Sequence, residues 1–288
     1  MKTRAYKITI VSAVIIAGIL LRAYMAFVIR PINGDSAVFA LMAKHISELK
    51  EFYIYMPLSH YAGALSSYVA AGLFSVFGVS YNSFITVGLA FSSAGLIAGC
   101  ILSRKTLDGF GEAISDLLIA VPSFLIIWHS LLAGVHAENA LCIPILLLLA
   151  VKINGGNSAR PGLLAVVSGV ISGLALWSTP GSVPAVLTII TLLLMARRER
   201  SYFRTIVLFF IGILIGYAPA IIYNVQYPHA TLFRMAGRIL NLDGSALSDP
   251  DLTALVMRQI FWRISTAPES LHRIPRLISE LISFPGML

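Results

Sequence analysis

Residues 30–81 read RPINGDSAVFALMAKHISELKEFYIYMPLSHYAGALSSYVAAGLFSVFGVSY. The stretch follows an apolar run from Ile8 to Ile29 and precedes another near 83–103, so it is a long loop between two hydrophobic segments. From Asp35 to Glu51 the residues Val38, Leu41, Met42, His45 and Leu49 fall at helical spacing, while Lys44, Ser47, Glu48 and Glu51 take the other side. That pattern predicts a helix lying at a membrane interface rather than crossing it, entered through an Asn33-Gly34 turn. Residues 61–80 carry no charge and are long enough to cross. Their reading decides on which side every later loop lies.

The basic clusters resolve it. Spans need about 20 apolar residues, and on that measure they fall near 8–29, 83–103, 111–131, 138–152, 162–178, 183–196 and 205–224, with 138–152 and 183–196 short. If these seven simply alternate, Lys2, Arg4 and Lys7, then Arg104 and Lys105, then Lys152 and Arg160, then Arg197, Arg198, Arg200 and Arg204 share one side. Basic loops mark the cytoplasm. Residues 59–77 therefore predict a helix on or dipping into the outer leaflet, with Gly63, Ser67, Ala70 and Ala71 allowing close packing. The N-terminus is expected in the cytoplasm, and the 30–81 loop outside.

Composition agrees. Of 288 residues 58% are apolar and 12% charged, against about a quarter charged in soluble domains. The formal charge of +8 sits in clusters at span ends, which argues against nucleic acid. Cys100 and Cys142 lie in apolar runs, leaving neither a disulfide framework nor a cysteine metal site. The run after Lys7 is too long for a signal-peptide core and reads as a retained anchor. The expected fold is all-α and polytopic, with about seven spans in 1–224 and an outer-face tail of amphipathic helices over 225–288.

Acids beside a membrane face are costly unless a partner or a function compensates. Asp35 and Glu138 both fall at the outer face, where paired carboxylates serve as a base or hold a divalent metal. Asp35 also suits an N-cap, and Glu138 a first-turn acid favoured by the helix dipole. His60, beside Tyr61 in YMPLSHYAG, and His136, two residues before Glu138 in GVHAEN, are placed to shuttle protons or bind substrate, with Asn139 adjoining. Arg22, about two turns from the outer end of the first span, is placed to snorkel or to pair with an acid or a lipid phosphate. The break WSTPGS at 177–182 needs no more than a turn to explain it. No P-loop, dinucleotide fingerprint or serine-hydrolase elbow occurs.

The order of GDSAVFALMAKHI, SHYAGALSSYVAAGLFSVFG, VHAENALCIPILLLL, SGLALWSTPGSVPAVL and IGYAPAIIYNVQYPHAT resembles the GT-C class of polyprenyl-phosphate-dependent glycosyltransferases. Within it, the bacterial protein O-mannosyltransferase and lipid A aminoarabinose transferase-like members are the nearest in pattern. The resemblance implies a membrane enzyme that transfers a hexosyl or pentosyl group, with inversion, from a polyprenyl-phosphate donor to a cell-envelope acceptor outside the cytoplasmic membrane. It implies Asp35 and Glu138 as base or as metal and substrate ligands, and His60 near the donor phosphate. Asp35, Glu138 and His60 are the expected ligands if a divalent ion takes part. The family often carries two adjacent acids in the first loop, whereas Ser36 follows Asp35 here. Its members also continue past the point where this chain stops, so the chain is expected to be either a fragment or a short member with a partner supplying further spans. The alternative is a transporter or flippase component for a lipid-linked or small anionic substrate, using the same acids as gates or proton sites. Against it stand the absence of an inverted repeat and an inner half read as free of charge within its spans.

Overall fold

The computed structural model describes residues 2–57, 61–154, 161–195 and 202–227, all within one compact unit, Met1–Ala230. The expected tail over 225–288 lies outside the described residues beyond Tyr227. The described residues are helical, with one isolated bridge between Tyr55 and Gly63. Four helices are long and apolar enough to cross a membrane, and two bent pairs bring the number to six if each is one span.

The first helix, α1 (Lys2–Tyr24), runs into a π-turn over Met25–Ile29. Arg30 closes it, its N–H reaching the Met25 carbonyl at 3.0 Å from a left-handed backbone with φ 56°. Pro31 has no N–H to extend the helix further. Then α2 (Gly34–Ser47) begins, capped by Asn33, whose side chain accepts the Ser36 N–H at 2.8 Å. The cap is therefore Asn33, and Asp35 sits in the first turn. Ser36, Phe39, Met42, Ala43 and Ile46 form the buried face, whereas Leu41 and Leu49 are exposed. Of the expected stripe Met42 is buried and Val38 and His45 are partly covered, so the protein covers the Phe39 side and leaves Leu41 outward.

The uncharged stretch forms α3 (Leu65–Phe77), beginning later than residue 59 and packing on α2 and α4. Its small residues Ser66, Ser67, Ala70 and Ala71 are buried, and Ser67 Oγ donates to the Phe39 carbonyl at 2.9 Å. Gly63 precedes the helix and pairs with Tyr55; a Cβ there would lie 2.4 Å from the Trp177 carbonyl oxygen. At 13 residues, α3 is about 20 Å long, too short to cross unaided.

The next helix, α4 (Tyr81–Thr106), is the central element. It packs against α1, against α5 (Gly109–Ala120), α6 (Phe124–Leu131) and α7 (Val135–Asn154). A Cβ on Gly88 or Gly95 would lie 1.9 Å from the Leu131 or Ala140 carbonyl, so backbones touch where α4 crosses the α6–α7 region. The expected single span 111–131 is a pair bent by 61°, because Pro122 removes a donor and pushes Val121 out of helical geometry. At 20 residues, α7 is about 30 Å long, so this span is not short.

The chain ends its described course with α8 (Pro161–Ser178), a 3-10 turn at Pro180–Ser182, α9 (Val183–Met195), α10 (Tyr202–Gly216) and α11 (Ala218–Gln226). Gly169 and Gly173 on α8 face Gly212 and Gly216 on α10, each with a neighbouring carbonyl 2.1–2.4 Å from its absent Cβ. This is the small-xxx-small contact by which helices in lipid approach closely. The expected span 205–224 bends by 58° between α10 and α11, where Pro219 starts the second helix. One end of the bundle gathers the loop after α2, the α6–α7 turn, the α8–α9 break and α11. Trp177 Nε1 donates to Ile54 O at 3.0 Å, Gly63 N to Ser178 O at 3.1 Å, and Tyr55 meets Tyr223 edge-on at 5.0 Å.

Candidate functional site

The α6–α7 turn, Leu132–Gly134, carries the site. Gly134 has φ +108°, and a Cβ there would lie 2.6 Å from the Phe39 ring; only glycine lets the turn lie on α2. The turn starts α7 so that Glu138 falls in its first turn and points inward, completely buried. Ser66 Oγ, from α3, donates to Glu138 Oε1 and accepts the Gly134 N–H at 3.1 Å. The second carboxylate oxygen, Oε2, is buried with no hydrogen-bond partner among the described residues. Native structures rarely leave such an atom unsatisfied.

Asn139 extends the polar pocket. Its Nδ2 approaches Thr179 Oγ1 at 3.4 Å, and its Oδ1 is buried with no partner among the described residues. Thr179 also holds the 3-10 turn, its hydroxyl accepting the Gly181 N–H at 3.2 Å. The WSTPGS break therefore does more than turn the chain: it presents a hydroxyl to Asn139.

Above this layer the surface carries a second group. Asp35 is exposed, one turn before Phe39 on α2, and its charge acts on His136. The exposed His136 ring meets His129 at 4.8 Å between centroids, edge to face at 68°. Asp35 and Glu138 thus border the same turn, one at the surface and the other beneath it. Tyr55, buried and set against Tyr217 and Tyr223, has its phenol pushed up from 10.0, first by burial and then by the Tyr217 hydroxyl.

Arg22, an expected member, serves the scaffold instead. Arg22 is 4% exposed and binds protein acceptors: Ser92 Oγ at 3.0 Å, Gly18 O at 3.0 Å, Ala120 O at 2.8 Å and Ile119 O at 2.9 Å. Rather than snorkelling, it holds the carbonyls freed where α5 breaks. Tyr61 is 40% exposed, and His60 lies outside the described residues. Among the described residues no three of His, Cys, Asp and Glu come together closely enough to cage a metal ion.

Sequence reading missed four residues. Ser66 and Thr179 are hydroxyls within apolar surroundings, indistinguishable from helix-packing serines and turn threonines. His129 sits in FLIIWHSLL, where a lone polar residue gave a signal that was not taken up. Asp116 overturns the reading of an uncharged inner half. It lies within the 111–131 run and is 2% exposed; neither carboxylate oxygen has a hydrogen-bond partner among the described residues, and Arg104 Nε stands 3.9 Å away. Arg104 Nε also approaches Glu112 Oε1 at 3.8 Å.

Comparison with protein-family models, with curated proteins and with solved structures found no match.

Proposed function

We propose that the chain is a membrane glycosyltransferase moving a sugar from a polyprenyl-phosphate donor to an envelope acceptor. In this reading seven spans cross, α9 with its preceding turn being the seventh, and the end bearing Asp35 faces the periplasm or exterior. The observation that carries it is Glu138: a buried acid held by Ser66 through one oxygen, with the other unpartnered among the described residues, under a surface that presents Asp35 and His136. A site of this kind binds a hydroxyl or ammonium donor, which is what a sugar or an acceptor offers.

Asp35, exposed and unburdened by capping, takes the proton of the acceptor hydroxyl. The acceptor oxygen then attacks the anomeric carbon, and the bond from that carbon to the donor phosphate oxygen breaks, its electron pair leaving on the phosphate. One displacement inverts the anomeric centre. The donor supplies the energy, so no nucleotide site is needed. Glu138 and Asn139 orient the sugar or acceptor, and His136 lies within reach of Asp35's charge to stabilise it.

The test is transfer from a panel of polyprenyl-phosphate-linked sugars by the purified chain in liposomes. Asp35→Asn is expected to abolish transfer without loss of folded protein; normal turnover by that variant removes Asp35 from the mechanism. A second reading, transport of a lipid-linked or small anionic substrate, is favoured by Asp116, a buried acid near the opposite end. Proton counter-transport in vesicles that disappears in Asp116→Asn and Glu138→Gln supports it over transfer.

A further inference from the structure

A groove of about 440 Å³ runs between α4, α7 and the bent pair α5–α6, open on one side. On α4 its lining extends from Ser92 to Thr106, about 21 Å at 1.5 Å per residue. Its walls are chiefly apolar, with Gly99, Leu102, Leu118, Pro122 and Leu147 among them. Its volume is that of about fifteen waters, and a bilayer offers hydrocarbon rather than water to fill it.

Arg22 lines this groove. A guanidinium has five N–H donors, and four of Arg22's are taken by a hydroxyl and three carbonyls. No carboxylate of the described residues comes within ion-pair distance of it; the described ion pairs involve Lys44, His45, Lys50 and Arg104. The cation is compensated only by dipoles, chiefly the carbonyl end of α5. The adjoining hydroxyls offer it nothing more: Ser92 Oγ and Ser130 Oγ bond each other at 2.8 Å, and Ser130 Oγ donates to Ile127 O. One N–H therefore has no acceptor among the described residues, and one unit of positive charge stands in the wall of the groove. A phosphate, with three or four oxygens to satisfy, finds too few donors there. A carboxylate needs the fewest.

We propose that the groove binds one long-chain fatty acid, its carboxylate paired with Arg22 and its chain lying along α4 towards Thr106. This site is separate from the Glu138 pocket and does not depend on the transferase reading.

The experiment uses the full chain in detergent with cis-parinaric acid, a fluorescent fatty acid, and with its methyl ester, which keeps the chain and loses the charge. The acid is expected to bind at least about tenfold more tightly than the ester, the worth of one charge-assisted hydrogen bond. Arg22→Gln should bring the two together. Because Arg22 also holds the α5 break, Leu118→Trp provides a second variant. Leu118 is 63% exposed, so the fold tolerates the larger ring, which fills the groove and should weaken the acid about fivefold or more. Equal binding of acid and ester overturns the proposal, as does full binding by a folded Leu118→Trp. Hexadecyl phosphate displacing the probe more effectively than palmitic acid overturns the assignment of a carboxylate head.

Discussion

Replacing Ser66 with alanine tests the core of the site, because one hydroxyl there joins three elements. It donates to Glu138 Oε1 and accepts the Gly134 N–H at 3.1 Å, and the residue is fully buried. Each of the two bonds contributes about 0.5–1.5 kcal/mol when both partners are neutral. With the fold unchanged, Ser66→Ala should therefore cost about 1–3 kcal/mol. Equilibrium unfolding in mixed micelles of the wild type, Ser66→Ala, Glu138→Met and the double variant closes a cycle. Once Glu138 is methionine only the Gly134 bond is left to lose, so the cost of Ser66→Ala should fall to about 1 kcal/mol. A Ser66→Ala variant within about 0.5 kcal/mol of wild type, or an equal cost in both backgrounds, refutes the bridge.

Other consequences concern the scaffold. Asn33→Ala should destabilise by about 1 kcal/mol, the worth of a cap, while Asp35→Asn leaves the melting temperature unchanged because its side chain is exposed; the reverse order would return the cap to Asp35. Gly169→Ile should cost at least about 3 kcal/mol through overpacking, since its Cβ alone would lie 2.1 Å from Phe209 O. By contrast Gly72→Ala on α3, with nothing within 4 Å, should stabilise by about 0.5–1 kcal/mol; monodispersity and melting in detergent distinguish the two. Tyr55 favours its neutral form in the fold, with its phenol raised above 10.0. Its contribution is complete below about pH 10 and is lost as the pH climbs from there through the folded-state value. Tyr55→Phe should flatten the alkaline fall of the melting temperature above about pH 10.

Hydrophobic runs made the helices legible, including the short α3 within the uncharged 61–80 stretch. What they did not reveal was direction within a helix. The stripe Val38, Leu41, Met42, His45 and Leu49 predicts the apolar side of an interfacial helix, without saying whether protein or lipid covers it. In a membrane protein the outward face is apolar too, so hydrophobic periodicity loses its sign, and the true inner face is marked by Ser36, Phe39 and Ala43. The bends had visible causes in Pro122 and Pro219, but a span read by length passes over them. The site was half legible for the same reason. Asp35 and Glu138 stood out as charges, whereas the hydroxyls of Ser66 and Thr179 acquire meaning only once α3 and the α8–α9 break meet α7.

The two buried acids divide the functional question by their surroundings. Glu138 lies beneath a surface turn, with a serine on one oxygen and the other oxygen unpartnered among the described residues. Asp116 lies near the opposite end, where Arg104 is shared between it and Glu112, and that arrangement ties the end of α4 to the start of α5 as readily as it serves a moving ion. A carboxylate pinned by a cation on a neighbouring helix is held in place, whereas a gate must let go. Both acids keep unpartnered oxygens among the described residues, but only Glu138 stands beneath an exposed acid and a histidine pair, and that setting supports chemistry at one end over passage between both. Losing transfer in Glu138→Gln while Asp116→Asn loses only stability would follow from it. Equal functional loss in both, with the fold retained, would move the argument to transport.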